Sequence, residues 1–210
     1  MHCTIIAKAP VAGLVKTRLC PPCSAEQAAR VAAAALADTF DVVASVARAA
    51  GVRTVLLLDG MPQPWMPTNF EIVHQRGDGL AERLCNGFAD LGAGVIVGME
   101  TPSVAGALAD GIDAVRRGLD VIGLATDGGY WMIGLSEAGV QLGTAAFDGV
   151  PMSQSNTGLS QLGRLHSLGR AVRTLPVARD LDTFDDLVAV AASGGVGQLV
   201  TVAREVIESL

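Results

Sequence analysis

Short apolar runs, each too brief for a helix and each followed by a helical or loop stretch, constrain this chain more than any other feature. Residues 3–7, Val55-Leu56-Leu57-Leu58, Val95-Ile96-Val97-Gly98 and Val121-Ile122-Gly123-Leu124 read as buried strands, and residues 70–74 and 171–175 add two more. Helices are predicted between them. Ser24-Ala25-Glu26-Gln27 is a capping box opening an alanine-rich helix to about Ala50, where Gly51 ends it. Further helices are predicted from near Leu80, over 103–117, over 153–168 and around Leu187. Residues 61–68 contain Pro62, Pro64 and Pro67 and exclude regular structure, with Trp65 expected to pack on its own loop. Hydrophobic residues make up 50% of the chain but aromatics only 4%, so the core must be closely packed Ala, Val, Leu and Ile. Strands alternating with small-residue helices specify an α/β fold with a mostly parallel sheet flanked by helices. At 210 residues one domain is expected over 1–210. Residues 193–210, with a Gly194-Gly195 break and an amphipathic last helix, form a C-terminal helical extension suited to packing or to self-association as a homo-oligomer.

The net charge of −6 and an isoelectric point near 5.0 argue against nucleic acid as a partner, since such proteins neutralise phosphates with basic faces. Neither a signal-peptide pattern nor an apolar run of about 20 residues occurs, so no membrane partner and a cytoplasmic location are expected. Against that acidic background both lysines of the chain, Lys8 and Lys16, fall in one stretch with Arg18, directly after the first strand. Ammonium groups on flexible stems suit phosphate oxygens that move during a reaction. This loop is therefore expected to bind a small phosphorylated ligand, and its cations to face solvent in the free protein. Lys16-Thr17 is preceded only by Gly13, at the wrong distance for a P-loop, which excludes an ATPase of that class. Cys20-Pro21-Pro22-Cys23 has redox or metal-pair spacing, but there is no second pair, and the cysteines read as small apolar fillers.

Three more stretches invite a ligand. Gly77 and Gly79 flank Asp78 just before a helix, where bare backbone and helix amides can approach an anion. The alternative is an ordinary strand-to-helix turn. Glu100 stands at the carboxyl end of a strand, the edge where open α/β sheets bind ligands. Asp127-Gly128-Gly129-Tyr130 bares a turn and then presents the only tyrosine of the chain; a hairpin would also use Asp-Gly, but a substrate surface is the better reading. In 179–187, Asp182 reads as a helix N-cap with Asp185 in the first turn. His2, His74 and His166 have no motif around them, and no Ser-His-Asp or Cys-His constellation is visible.

Ala7-Lys8-Ala9-Pro10, Gly13 and Lys16-Thr17-Arg18-Leu19 resemble the first loop of the nucleotide-diphospho-sugar transferase superfamily (GT-A fold), within it a bacterial subfamily described as glycosyltransferases. The Lys8-Ala9-Pro10 and Lys16-Thr17-Arg18 steps bear a weaker resemblance to guanylyltransferases of deazaflavin-cofactor assembly. The resemblance covers roughly residues 3–187 through four motifs in order. It implies a Rossmann-like fold in which Lys8, Pro10, Gly13, Lys16, Thr17, Arg18, Gly77 and Gly79 contact the nucleotide. Asp127, Gly128, Gly129 and Tyr130 would position a small-molecule acceptor, and Lys16, Arg18 and Asp127 would act in catalysis. Glu100 and Asp182 would hold Mg²⁺ or Mn²⁺. Glu100 departs from the aspartate of the family's Thr-Asp-Ser-Pro pattern by one methylene. The implied activity is metal-dependent glycosyl transfer from a nucleotide sugar. The alternatives are nucleotidylyl transfer with release of pyrophosphate, and a nucleotide-binding protein without turnover.

Overall fold

The computed structural model describes residues 1–100 and 104–210. Among the described residues a seven-stranded sheet runs in the order β3-β2-β1-β4-β6-β5-β7. The strands are β1 (His2–Lys8), β2 (Arg53–Asp59), β3 (Glu71–His74), β4 (Gly94–Gly98), β5 (Asp120–Ala125), β6 (Tyr130–Leu135) and β7 (Val172–Ala178). All neighbours are parallel except β6, which runs antiparallel to both β4 and β5. The helices are α1 (Ala25–Ala50), α2 (Leu80–Leu91), α3 (Ala105–Arg116), α4 (Glu137–Val140), α5 (Thr157–Ser167), α6 (Phe184–Ala192) and α7 (Gln198–Glu208). This is an α/β, Rossmann-like fold with a mostly parallel sheet between two helical layers.

The period of two along each strand sorts the core into two faces. Val95 and Val97 of β4 join Ile5, Leu56, Leu58 and Met132 under α1 and α3, whereas Ile96 and Ile133 pack beneath Leu84 and Phe88 of α2 and Leu165 of α5. The alanines of α1 let it lie close to the sheet, as the aromatic-poor composition requires. Its capping box is formed, with Ser24 accepting from Gln27 N and Gln27 accepting from Ser24 N, and Gly51 ends it at φ 65°. A third cluster joins α1, α6 and α7 through Ala28, Val31, Leu187, Leu199 and Ala203. The last helix thus packs on the first. Cys23 is buried in that cluster, and burial pushes its thiol up, in keeping with a filler.

Several sequence expectations need correction. Residues 130–135 form a strand that carried no strand expectation. The helix expected over 153–168 begins at Thr157, because Ser153 takes a left-handed φ of 58° and Thr157 Oγ1 accepts from Gln154 N, which holds 153–156 in a turn. The strand expected to end at Leu175 continues through Pro176, since β7 is an edge strand and its register against β5 shifts between Leu175 and Ala178, so Pro176 sits in a bulge where no regular ladder bond is lost. The N-cap of α6 is Thr183, reciprocated by Asp186, and not Asp182. The helix start expected at Ser103, with Thr101 and Pro102 before it, lies outside the described residues.

Candidate functional site

The chain leaves β1 toward β2 on one side of the sheet and returns as β4 on the other, so a crevice opens at the carboxyl ends of β1 and β4, the switch point where such sheets bind ligands. A cavity of about 530 Å³ lies there, lined by Lys8, Lys16, Gln75, Gly79, Arg83 and Glu100 among others. Gln75 and Arg83 had no assigned role in the sequence. Gln75 Nε2 donates to the carbonyls of Ala7 (2.8 Å) and Leu57 (2.9 Å), pinning the ends of β1 and β2. Arg83 donates to Asp59 Oδ2 at 2.6 Å and Gln75 Oε1 at 3.0 Å, which holds its guanidinium at the rim. Its place in the first turn of α2 was a legible signal, because that turn follows the glycine pair.

Gly77 and Gly79 play different parts. A Cβ on Gly77 would lie 2.6 Å from Glu82 Cβ, so protein packing and a φ of 112° require glycine there. Gly79 has open space around it and no side chain caps α2, so its first amides border the cavity. In the first loop Pro10 is buried while Gly13, Thr17 and Arg18 are exposed. Gly13, at φ 79°, lies in a turn in which Leu14 N donates to Val11 O at 3.0 Å.

Lys16 is not a solvent-facing cation. Its side chain is 4% exposed, and its ammonium pairs with the Glu100 carboxylate, donates to the Leu181 carbonyl and lies 3.5 Å from Asp182 Oδ1. A buried ammonium must be paired and hydrogen-bonded, and these partners come from the ends of β4 and β7. Lys16 itself adopts a left-handed φ of 50°. Arg18, 69% exposed, holds the other oxygen of Asp182 at 3.1 Å. Thus Lys16, Arg18, Glu100 and Asp182 are brought together, although 165 residues lie between the first and the last of them in the chain. Lys8 stays exposed at the end of β1 and lines the cavity.

Negative charge accumulates behind that cluster. Burial together with the charges of Asp127, Glu100 and Asp182 pushes the Asp180 carboxyl up to about 7, and burial raises Glu100 against the pull of Lys16. Asp180 was overlooked in the sequence because its neighbours supplied both the family motif and a cap reading. Among the described residues no three Asp, Glu, His or Cys side chains stand close enough to hold a metal ion as arranged. The donor chemistry nevertheless fits a hard divalent cation. Glu100 and Asp182 already converge on one positive charge, and Mg²⁺ commonly takes only one or two carboxylates plus substrate phosphates.

The Asp127-Gly128-Gly129 turn joins β5 to β6 as an antiparallel hairpin. A Cβ on Gly128 would lie 1.8 Å from the Ser155 carbonyl oxygen, and one on Gly158 would lie 2.4 Å from Gly129 O. These glycines are therefore needed for close contact with 155–158. Asp127 Oδ1 accepts from Gly129 N at 2.8 Å, and Asp127 borders a polar recess with Arg18, Arg179 and Asp180. Tyr130 is largely enclosed, its hydroxyl 3.8 Å from Met152 Sδ, and burial holds the phenol protonated. It lines an inner hollow of about 240 Å³ shared with Glu100 and Asp180.

Among solved structures, a protein of Desulfovibrio desulfuricans G20 provisionally described as a nucleotide-diphospho-sugar transferase is 20% identical, with a TM-score of 0.84 over 97% of this chain and 94% of that one. Rv0371c of Mycobacterium tuberculosis H37Rv is 22% identical, with a TM-score of 0.55 over 92% of this chain and 100% of that one, and has also been solved with manganese. CMP:2-keto-3-deoxy-manno-octonic acid synthetase, in complex with CTP, is 13% identical, with a TM-score of 0.54 over 97% and 98%. These similarities establish the fold of the nucleotide-diphospho-sugar transferases. No curated protein matches the sequence. Residues 27–154, more than half of the chain, match the family described as uncharacterised proteins conserved in bacteria (DUF2064), a span that includes Gly77, Gly79, Glu100 and the Asp127 turn but neither the lysine loop nor Asp182. The chain therefore belongs to this bacterial family.

Proposed function

We propose that the protein is a nucleotide-dependent transferase that moves a glycosyl group from a nucleotide sugar to a small acceptor. One observation carries the reading: Lys8, Lys16, Arg83 and the uncapped start of α2 border one cavity whose far wall is Glu100, with Asp182 and Asp180 behind it. Cations and helix amides are what a nucleotide's phosphates require. In the reaction the acceptor oxygen bonds to the anomeric carbon as the bond from that carbon to the phosphate oxygen breaks. The electron pair leaves with the nucleoside diphosphate, and the acceptor proton passes to a carboxylate of the Asp127–Asp180 recess. Lys8 and Arg83 hold the departing charge from the sheet side, and Arg18 from the exposed side. Glu100 and Asp182 would hold Mg²⁺ or Mn²⁺, which when bound stabilises the leaving phosphate electrostatically.

Nucleotidylyl transfer is the second reading, favoured by the number of cations, since expelling pyrophosphate from a triphosphate requires charge beyond the α-phosphate. Incubation with Mn²⁺, a pool of nucleotide sugars and triphosphates, and cell extract as the acceptor source separates the two. Nucleoside diphosphate released from one sugar donor is the expected result. Pyrophosphate from one triphosphate, with no diphosphate from any donor, would establish the second reading. Nucleotide binding with neither product would leave a binding protein.

A further inference from the structure

Glu100 and Asp180 have a second side. Behind them, away from Lys8 and Arg83, a groove of about 620 Å³ runs out between α1 and the α6–α7 segment. Its walls are mainly apolar and include Val42, Ala189, Val190, Val196 and Val200. Val196 at its lip is 99% exposed. The charged groups along it are five carboxylates, Asp38, Asp41, Glu100, Asp180 and Asp186, against the single guanidinium of Arg179. Three of the five are tied into the frame: Glu100 pairs with Lys16, Asp38 accepts from the amides of Gln198 and Leu199, and Asp186 accepts from Asp182 N, Thr183 N and Arg179. Asp180 has no hydrogen-bond or ion-pair partner among the described residues, and it stands where the groove meets the polar recess and the inner hollow.

A cavity on one side of Glu100 is therefore basic and fitted to phosphates, and the groove on the other side is apolar and edged with acid. We infer that this groove is the acceptor subsite, and that it takes a neutral or cationic amphiphile whose apolar body lies along α1 and α6 with its hydroxyl or amine at Asp180. The inference rests on the donor reading of the lysine-lined cavity. Apolar walls reward an alkyl or alicyclic body by the area they remove from water. The excess of carboxylates excludes an anionic head, because like charges in a partly desolvated groove repel strongly. The acceptor thus approaches the donor from across the Glu100–Asp180 wall, and the Asp127 turn closes the recess beside it rather than carrying the acceptor itself.

The neutral apolar fluorophore N-phenyl-1-naphthylamine tests the groove directly. It should bind the parent protein, be displaced by 1-decanol or decylamine and not by decanoate, and lose at least tenfold in affinity in Ala189→Trp. Val196→Lys, at the exposed lip, offers a second variant that leaves the core untouched. Leu159→Trp on the opposite side should not change binding. Thermal stabilisation by nucleotide sugar should persist in both groove variants. Probe binding that is undiminished in Ala189→Trp and Val196→Lys, or displacement by decanoate as readily as by decanol, would overturn the assignment. So would a dimer in light scattering that excludes the probe and dissociates in Ala189→Trp, since a second copy would then fill the groove. Failure of the parent to bind any nucleotide while it binds the probe would instead remove the donor reading, and the acceptor role with it.

Discussion

Lys16 and Glu100 show how a single buried charge can tie a loop to two strand ends. Removing Glu100 leaves the buried ammonium with only the Leu181 carbonyl and the more distant Asp182 carboxylate, and this is more costly than the pair is worth. Glu100→Ala should therefore lower stability by about 3 kcal/mol, read as a shift of the urea midpoint with an unchanged slope. Lys16→Met removes the cation that now sits between Glu100 and Asp182, and should tighten Mn²⁺ binding to the nucleotide-free protein by about tenfold, or ~1.4 kcal/mol, measured by electron paramagnetic resonance of free Mn²⁺. Unaltered Mn²⁺ affinity would mean that metal and ammonium use different oxygens. Lys8 is exposed, so Lys8→Ala should leave the midpoint in place while weakening nucleotide binding by roughly one to two decades. His2 gives the molecule a pH dependence away from the site. It is fully buried, its Nε2 donates to Gly92 O at 3.0 Å and its Nδ1 accepts from Thr4 Oγ1 at 2.7 Å, and burial lowers it from 6.5 to about 4. Between those values the unfolded chain binds the proton and the native one does not. The His2 contribution is therefore complete above pH 6.5 and is lost as the pH falls toward 4, by roughly 3 kcal/mol at about 1.4 kcal/mol per unit. Urea melts of the parent and His2→Asn across that window should diverge in slope; parallel curves would place the titration elsewhere.

Among the elements, the β5–β6 hairpin depends on contacts from a distant segment, residues 155–158. Its turn has a Gly128 φ of 91° and lies against the Ser155 carbonyl, while Gly158 N donates to Gly128 O at 2.8 Å. Gly128→Ala must displace backbone on one side or the other. It should be strongly destabilising, by more than the ~1 kcal/mol that a positive φ alone imposes on an alanine. Gly13→Ala, with open space around it and a similar φ, supplies the control: the two melts should differ, and equal losses would show that backbone conformation rather than the 155–158 contact governs the turn. The sheet edge illustrates the opposite case, in which context relaxes a rule. Pro176 would interrupt a central strand, and in edge strand β7 it falls in the register shift between Leu175 and Ala178 while its carbonyl accepts from Trp131 Nε1 at 3.1 Å.

At the scale of the whole molecule, the candidate site residues sit at the carboxyl edge of the sheet because every parallel strand delivers its following loop there. A nucleotide sugar with Mn²⁺ at a hundred times its dissociation constant should stabilise the protein by roughly 2.7 kcal/mol, and the sugar alone by less. Equal stabilisation with and without the metal would detach Glu100 and Asp182 from metal binding. The alternation of apolar runs with helices, the capping box at Ser24, the Gly51 stop and the basic loop after β1 were all determined by the sequence itself, because each is set by neighbours within one or two turns of chain. Period and cap chemistry act locally, so they are written locally. The antiparallel insertion of β6 and the burial of Lys16 were decided only in the tertiary structure. So was the position of Asp180 where the apolar groove, the polar recess and the inner hollow meet. Each of these depends on which distant segment arrives alongside, and the free energy of a buried charge or a close glycine contact exists only once that neighbour is in place.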